Sequence, residues 1–244
     1  MDIKFSFIVT FIAGLSTLVG TLPIFLKIKD INKLIVISLS FASGVMFYIS
    51  TFDLLFESLK LFNKKHDIII SLFLFILLFI LGMLITKLIN NSIKNEDNLY
   101  KLGIISMIAI ILHNIPEGIL TFVASNVNKK LGLSLGIAIA MHNIPEGISI
   151  AIPIFYGTRN KAKAICYTFI SALSEPLGAL IGFIFLKNIM NYTLLGILFS
   201  LVCGIMIYIS IFELIKEAKK YNEDKLVNIF FIIGMIFMFI TLKI

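Results

Sequence analysis

Eight apolar stretches follow one another along the chain with only short polar links between them, at approximately residues 5–26, 33–56, 68–89, 102–124, 131–153, 162–186, 190–215 and 226–243. A helix needs about 20 such residues to cross the hydrocarbon core of a bilayer. A backbone in lipid must also satisfy its own hydrogen bonds, which a helix does within one segment. The expected fold is therefore an all-α integral membrane protein with eight transmembrane helices, residues 1–244 forming a single transmembrane domain. Composition agrees: 59% of the 244 residues are hydrophobic and 14% are charged, where a soluble domain carries roughly a quarter charged. Mean hydropathy is +1.04. The first stretch lacks the marks of a cleaved leader, since only Lys4 beside Asp2 precedes it and no small-x-small site follows a short apolar core. Cys166 and Cys203 lie alone in apolar stretches and are expected to pack rather than pair.

The net charge of +7 does not call for a nucleic-acid partner, because its distribution follows the alternation of the helices. One side of the membrane takes Lys4, Lys60, Lys64, Lys65, Lys129, Lys130, Lys187 and Lys243. The other takes the remaining thirteen of the 21 Lys and Arg, Arg159, Lys161, Lys163, Lys216, Lys219 and Lys220 among them. Cytoplasmic links are the Lys/Arg-rich ones, so both termini are expected outside, in a multi-pass protein of the cell membrane.

Within the fourth and fifth stretches lies a string that occurs twice without a change. It is His113-Asn114-Ile115-Pro116-Glu117-Gly118-Ile119, and again His142-Asn143-Ile144-Pro145-Glu146-Gly147-Ile148. His and Glu four apart share one helix face. Each His lies about eleven residues into its stretch, which at 1.5 Å per residue is near mid-bilayer. Ionisable groups at that depth are costly without a partner. The two copies sit on neighbouring, antiparallel helices and can face one another. His113, Glu117, His142 and Glu146 then offer two imidazoles and two carboxylates, a set suited to Zn²⁺ or another first-row divalent ion. Asn114 and Asn143, three residues before each Glu, supply oxygens for a second, harder site. Glu175, in Ser174-Glu175-Pro176 of the sixth stretch, is the expected ligand or bridge there. An inter-helix polar clamp without an ion would leave like-charged carboxylates facing one another. Pro116 and Pro145 free a carbonyl four residues back, and Gly118 and Gly147 allow close helix approach.

A second repeat extends this symmetry. Gly44 to Glu57 in the second stretch matches Gly204 to Glu217 in the seventh at eight identical positions, with Asp53 opposite Glu213. A weaker match joins Leu15-Ser16 and Gly20 to Leu173-Ser174 and Gly178. Matched helices five apart cross in opposite directions, so a 3+2+3 arrangement is expected: helices 1–3 and 6–8 as inverted repeats around the helix 4/5 pair. Inverted repeats with a site near the midplane are a transporter signature. Asp53 and Glu57 near one end, and Glu213 and Glu217 near the other, are expected to draw cations at the two mouths of a path. Interfacial helix capping is the alternative for Glu57 and Glu217. His66, in a Lys-rich link, is expected at the surface.

On these motifs the chain resembles the ZIP (Zrt/Irt-like) divalent-metal transporters, in particular their bacterial ZupT-like branch, over nearly its whole length. The resemblance implies uptake of zinc, with iron, manganese, cobalt or cadmium as further cargoes, and no enzymatic activity or prosthetic group. It implies a binuclear centre: His113, Glu117, His142 and Glu146 at one position, Asn114, Asn143 and Glu175 at the other, Glu117 and Glu146 bridging. It also implies a homodimer that moves a transport bundle against a scaffold. Two features depart from many relatives. Residues 90–101, a polar link expected to be a solvated loop, hold no histidine, and Phe212 stands where some members have His before the helix 7 acid. Other classes fit less well. An intramembrane metalloprotease needs His-Glu-x-x-His, but Asn114 follows His113. Haem ligation by His113 and His142 leaves the carboxylates unexplained. A proton- or sodium-coupled carrier of another substrate is the strongest competitor.

Overall fold

The computed structural model describes residues 2–26, 29–92, 98–185 and 192–242. Eight helical spans are long and apolar enough to cross a membrane: α1 Ile3–Phe25, α2 Ile31–Phe62, α3 Ile68–Ser92, α4 Asn98–Val127, α5 Lys129–Thr158, α6 Lys161–Ile184, α7 Tyr192–Lys219 and α8 Asp224–Thr241. No strand occurs among the described residues. Lys27, Lys94, Lys187 and Lys243 of the charge count, and Asn95, Glu96 and Asp97 of the polar link, lie outside them.

Some boundaries differ from expectation, for physical reasons. α2 runs six residues past residue 56 because its last turns bury Ser58, Leu61 and Phe62, the last against Gly196 of α7. The polar link does not extend over 90–101: Asn90 belongs to α3, and Asn98 begins α4. Polar residues there form the end turns of helices, where backbone groups need polar partners.

Two spans change character midway. From Ser16 to Phe25, α1 winds as a 3₁₀ helix. Ser16, Thr17 and Thr21 donate their hydroxyls to the carbonyls of Ala13, Gly14 and Leu18, three residues back, which competes with α-type bonding. α6 breaks at Leu173 between the segments Lys161–Ala172 and Ser174–Phe185. Pro176 has no amide hydrogen to give Ala172, four residues back, and Gly14 of α1 packs against that carbonyl. By contrast, α4 is helical throughout past Pro116, and α5 past Pro145 and Pro153.

Packing divides the helices into two groups. α4 lies against α5, α6 and α1, and α5 against α1 and α6. Elsewhere α2 packs on α8 and α3 on α7, while α2 also meets α5 and α7. Only 17% of the apolar window of α3 and 22% of that of α8 are buried, against 72% for α2. α3 and α8 are therefore peripheral, and the exposed Ile69, Phe73 and Leu88 face the surroundings, as lipid-facing side chains do. At the end that holds the N-terminus, Asp2 pairs with Lys129 at 2.7 Å. That ammonium and the Phe5 amide hold the Asp2 carboxyl below the usual carboxylate range. The α2–α3 link lies at the same end, where Lys64 sits 3.8 Å over the Tyr192 ring at the start of α7.

Glycines set two of the crossings. Gly44 of α2 abuts the Phe231 carbonyl of α8, and Gly204 of α7 abuts the Phe79 carbonyl of α3. Such contact lets dispersion act at the shortest range, the main attraction between helices where the solvent is itself apolar. At the α2–α7 crossing, Ser43 and Ser210 exchange hydroxyl bonds with each other's carbonyls at 2.9 and 3.0 Å. The Cys203 thiol lies 3.1 Å from the Ser50 carbonyl. Beside these contacts both helices widen into π turns, Ser50–Leu54 and Tyr208–Ile215. These turns carry Asp53 and Glu213. Replacing Gly44 or Gly204 by Ala drives a methyl into a carbonyl and should destabilise the fold by about 1–3 kcal/mol. Gly182→Ala meets nothing closer than 3.5 Å and should be tolerated. Thermal unfolding in detergent distinguishes the two, and equal midpoints for all three variants would contradict these crossings.

Candidate metal centre

The two copies of the repeated string meet in the α4–α5 contact. Helical spacing brings His113 to Glu117 on α4, Nε2 to Oε2 3.5 Å. The contacts between helices are reciprocal. His142 Nε2 lies 2.9 Å from Glu117 Oε1, and His113 Nε2 lies 3.7 Å from Glu146 Oε1. The imidazole centroids are 6.1 Å apart. Nitrogens of His113 and His142 and an oxygen of Glu146 all lie within 4.8 Å of one another. Around a tetrahedral Zn²⁺ such donors stand roughly 3.3 Å apart, so small side-chain rotations would close the set.

These groups are deeply buried. His113 and His142 are 3% and 4% exposed and Glu146 is fully enclosed, while the Glu117 side chain keeps 13% exposure. Yet His113 Nε2, both nitrogens of His142, Glu117 Oε2 and both oxygens of Glu146 have no hydrogen-bond partner. The His142–Glu117 contact is thus close in distance without an N–H aimed along it. A buried polar atom left unbonded costs about 1–3 kcal/mol. So many in one place, on the residue types that ligate transition metals, fit a cation.

Glu175 and Asn143 form the adjoining part. The break in α6 sets Glu175 in the first turn of its second segment. Its Oε2 accepts from Asn143 Nδ2 at 2.8 Å, and that amide also donates to the Ala13 carbonyl of α1 at 2.9 Å. Glu175 Oε1, Asn143 Oδ1 and both polar atoms of the enclosed Asn114 lack partners. Glu175 lies within electrostatic range of Glu117 and Glu146. Oxygen donors thus adjoin the imidazole cluster. The sequence held no sign of Ala13, because a carbonyl acceptor leaves no mark in the side-chain pattern.

Among the described residues, one cavity reaches the cluster from one end. A cavity of about 330 Å³ runs from His113 and Glu117 past Leu120 to Asp53 and Glu57, toward the end that holds the N-terminus. On the opposite side of the cluster, Ile105 and Ile110 of α4 and Ile150 and Ile154 of α5 are fully buried. Of the mouth acids, Asp53 faces the cavity and Glu57 pairs with Lys60 at 3.1 Å. Glu213 and Glu217 line a separate recess of about 130 Å³ with Asn90, Lys101, Lys216 and Lys220. Both already have partners: Glu213 accepts from Asn90 at 2.6 Å, and Glu217 from Lys220 at 2.5 Å. His66 takes no part in the cluster, and neither Cys166 nor Cys203 is in a disulfide. In the purified protein, His113→Ala and His142→Ala should each weaken Zn²⁺ binding at least about tenfold, with His66→Ala unchanged. Calorimetric titration reads this, and equal affinities for all three variants would remove the cluster from consideration.

Comparison with known proteins gives a consistent result. The ZIP zinc transporter family matches residues 91–242, which include both copies of the string, Glu175, Glu213 and Glu217. A protein named zinc transporter ZupT from Clostridium perfringens is 36% identical, the match covering 99% of this chain and 96% of that protein. Proteins of the same name from Streptococcus mutans and Chlorobium chlorochromatii are 38% and 37% identical, over 97% and 99% of this chain and 96% and 97% of their own lengths.

Proposed function

The chain belongs to the ZIP zinc transporter family, and from that premise we propose that it carries divalent metal cations, zinc first among them, across the membrane into the cytoplasm. The observation that carries this reading is the buried, unbonded cluster of His113, Glu117, His142 and Glu146 at the inner end of a cavity. Cargo enters past Asp53 and Glu57, whose carboxylates raise the local cation concentration. Two imidazoles and two carboxylates replace its hydration shell, and the carboxylates neutralise its charge in a low-dielectric surrounding. Asn114, Asn143 and Glu175 hold a second ion, with Glu117 and Glu146 shared between the two positions. For release, the ion leaves toward Glu213 and Glu217.

Three further readings accompany this one. The whole chain acts as a single transmembrane domain in the cell membrane, with both termini outside, following the bias of Lys and Arg. α1–α3 and α6–α8 are inverted copies around α4 and α5. The matched glycine crossings, the matched π turns and the reciprocal α2–α7 bonds support this. The protein works as a homodimer in the lipid bilayer, its peripheral apolar helices α3 and α8 being free to face a second copy.

Uptake into proteoliposomes is the test. Zn²⁺ should accumulate in a protein-dependent way, and Glu117→Ala or Glu146→Ala should reduce the rate at least about a hundredfold. Asn114→Ala and Asn143→Ala should retain more activity, because each removes a ligand from one position instead of a bridge. Absence of metal accumulation, or an unaltered rate for Glu117→Ala, would sink the reading in favour of a carrier for another substrate.

A further inference from the structure

At the end of the bundle opposite the N-terminus, the inner ends of α1, α4, α5 and α6 converge on a group of cations. The α5–α6 link carries Arg159, Lys161 and Lys163 within five residues, all exposed. Each is laid over an aromatic ring from one of these helices. Arg159 is 5.5 Å from the Tyr156 ring, Lys161 is 4.7 Å from Phe25 of α1, and Lys163 is 4.8 Å from Tyr100 of α4. Tyr100 in turn meets Tyr167 of α6, hydroxyl to hydroxyl at 3.0 Å. Among the described residues, no carboxylate forms an ion pair with any of the three cations. Several other cations, at both ends of the bundle, do have an acidic partner. Lys33, Lys60, Lys129 and Lys220 each have an acidic partner within 3.4 Å. Arg159 itself closes α5 in the left-handed conformation, φ 56°. A glycine would take that place without strain, so the link keeps a cation at some cost to its backbone.

The surface next to the cations is apolar. Lys161, Ile165 and Phe169 stand at i, i+4 and i+8 on α6, all exposed. Leu22 and Phe25 of α1, and Leu26 just past its end, are 50–60% exposed beside them. Cations without an ion pair among the described residues above, and lipid-facing hydrocarbon below, match the two halves of an anionic phospholipid. We propose that Arg159, Lys161 and Lys163 seat the phosphate headgroup of an anionic phospholipid, with its acyl chains along the exposed faces of α1 and α6. Because all four helices that meet there also surround His113, His142 and Glu175, the lipid is bound to the helix group that holds the candidate metal centre. The assignment does not depend on the cargo.

Native mass spectrometry of the purified protein, titrated with phosphatidylglycerol or phosphatidylcholine of equal chain length, tests this. Phosphatidylglycerol should bind in preference, since each cation near a membrane surface favours anionic lipid severalfold. The R159Q/K161Q/K163Q variant should lose at least about tenfold of that affinity. A K64Q/K65Q/K130Q variant, with the same charge removed from the opposite end, should keep it. Unchanged Zn²⁺ affinity in both variants verifies that they are folded. Equal binding of the two lipids, or full retention in R159Q/K161Q/K163Q, would overturn the proposal. So would stabilisation by inorganic phosphate as large as that by phosphatidylglycerol, since a free anion would then suffice.

Discussion

Two imidazoles and three carboxylates held almost out of contact with water are the constraint on which the rest of this structure depends. Glu146 and Glu175 are fully enclosed, and His113 and His142 are at most 4% exposed. An ionised carboxylate moved into a low-dielectric interior is penalised by several kcal/mol after relaxation, and here three approach one another. The single internal amide bond, from Asn143 to Glu175, satisfies one oxygen of six. Either protons on the carboxyls or positive charge in their midst balances such a set. The two imidazoles can supply some, but at the expense of their own capacity as ligands. A divalent cation supplies it and uses the lone pairs that are left over.

Close backbone packing makes that arrangement rigid enough to be specific. Gly118 of α4 rests on the Glu175 carbonyl of α6, and Gly147 of α5 rests on the Thr17 carbonyl of α1. In the proposed inverted repeat Thr17 and Glu175 are counterparts. The two backbone contacts are then equivalent while the side chains differ: a carboxylate enters the centre from α6, and from α1 comes a hydroxyl bonded to its own helix. The asymmetry has a chemical result. Asn143, on the α5 side, is tied to Glu175 and the Ala13 carbonyl, whereas Asn114 has neither bond. The proposed symmetric framework thus carries two unlike sets of donor atoms, one rich in nitrogen and the other built of oxygen, and the two proposed positions would differ in hardness accordingly.

The number of helices and the meeting of His113, Glu117, His142 and Glu146 were legible in the sequence because both rest on strong signals. Twenty apolar residues have few alternatives, and a His-x-x-x-Glu pair in lipid is too costly to be incidental. Distant partners were less legible. Asn90 looks like a loop residue beside its polar neighbours, yet α3 continues through it and its amide reaches Glu213, 123 positions away. Nothing local encodes that register. The break in α6 does have a local cause in Pro176, but Pro116 and Pro145 sit in helices that run on. Whether a proline interrupts a helix depends on what receives the freed carbonyl, and here Gly14 stands against Ala172. The π turns are hidden for a related reason. They add a residue to a turn inside the string repeated in α2 and α7, and apolar periodicity over so few residues does not register it.

The two deeper acids, Asp53 and Glu213, alike in sequence, differ in what surrounds them, while Glu57 and Glu217 each pair with a lysine. Asp53 opens onto the cavity that reaches His113, so its charge acts on whatever enters. Glu213 and Glu217 are held by Asn90 and Lys220, with Lys101 and Lys216 lining the same recess. A cation arriving there would have to displace an amide and an ammonium before it met a free carboxylate, and the lysines around it would raise the barrier. Fully buried isoleucines of α4 and α5 occupy the ground between that recess and the histidines. Asp53 and Glu213 each sit on a π turn next to the Ser43–Ser210 crossing, and Glu57 and Glu217 follow one turn on. Asp53 stands open to its cavity, whereas Glu57, Glu213 and Glu217 already have partners.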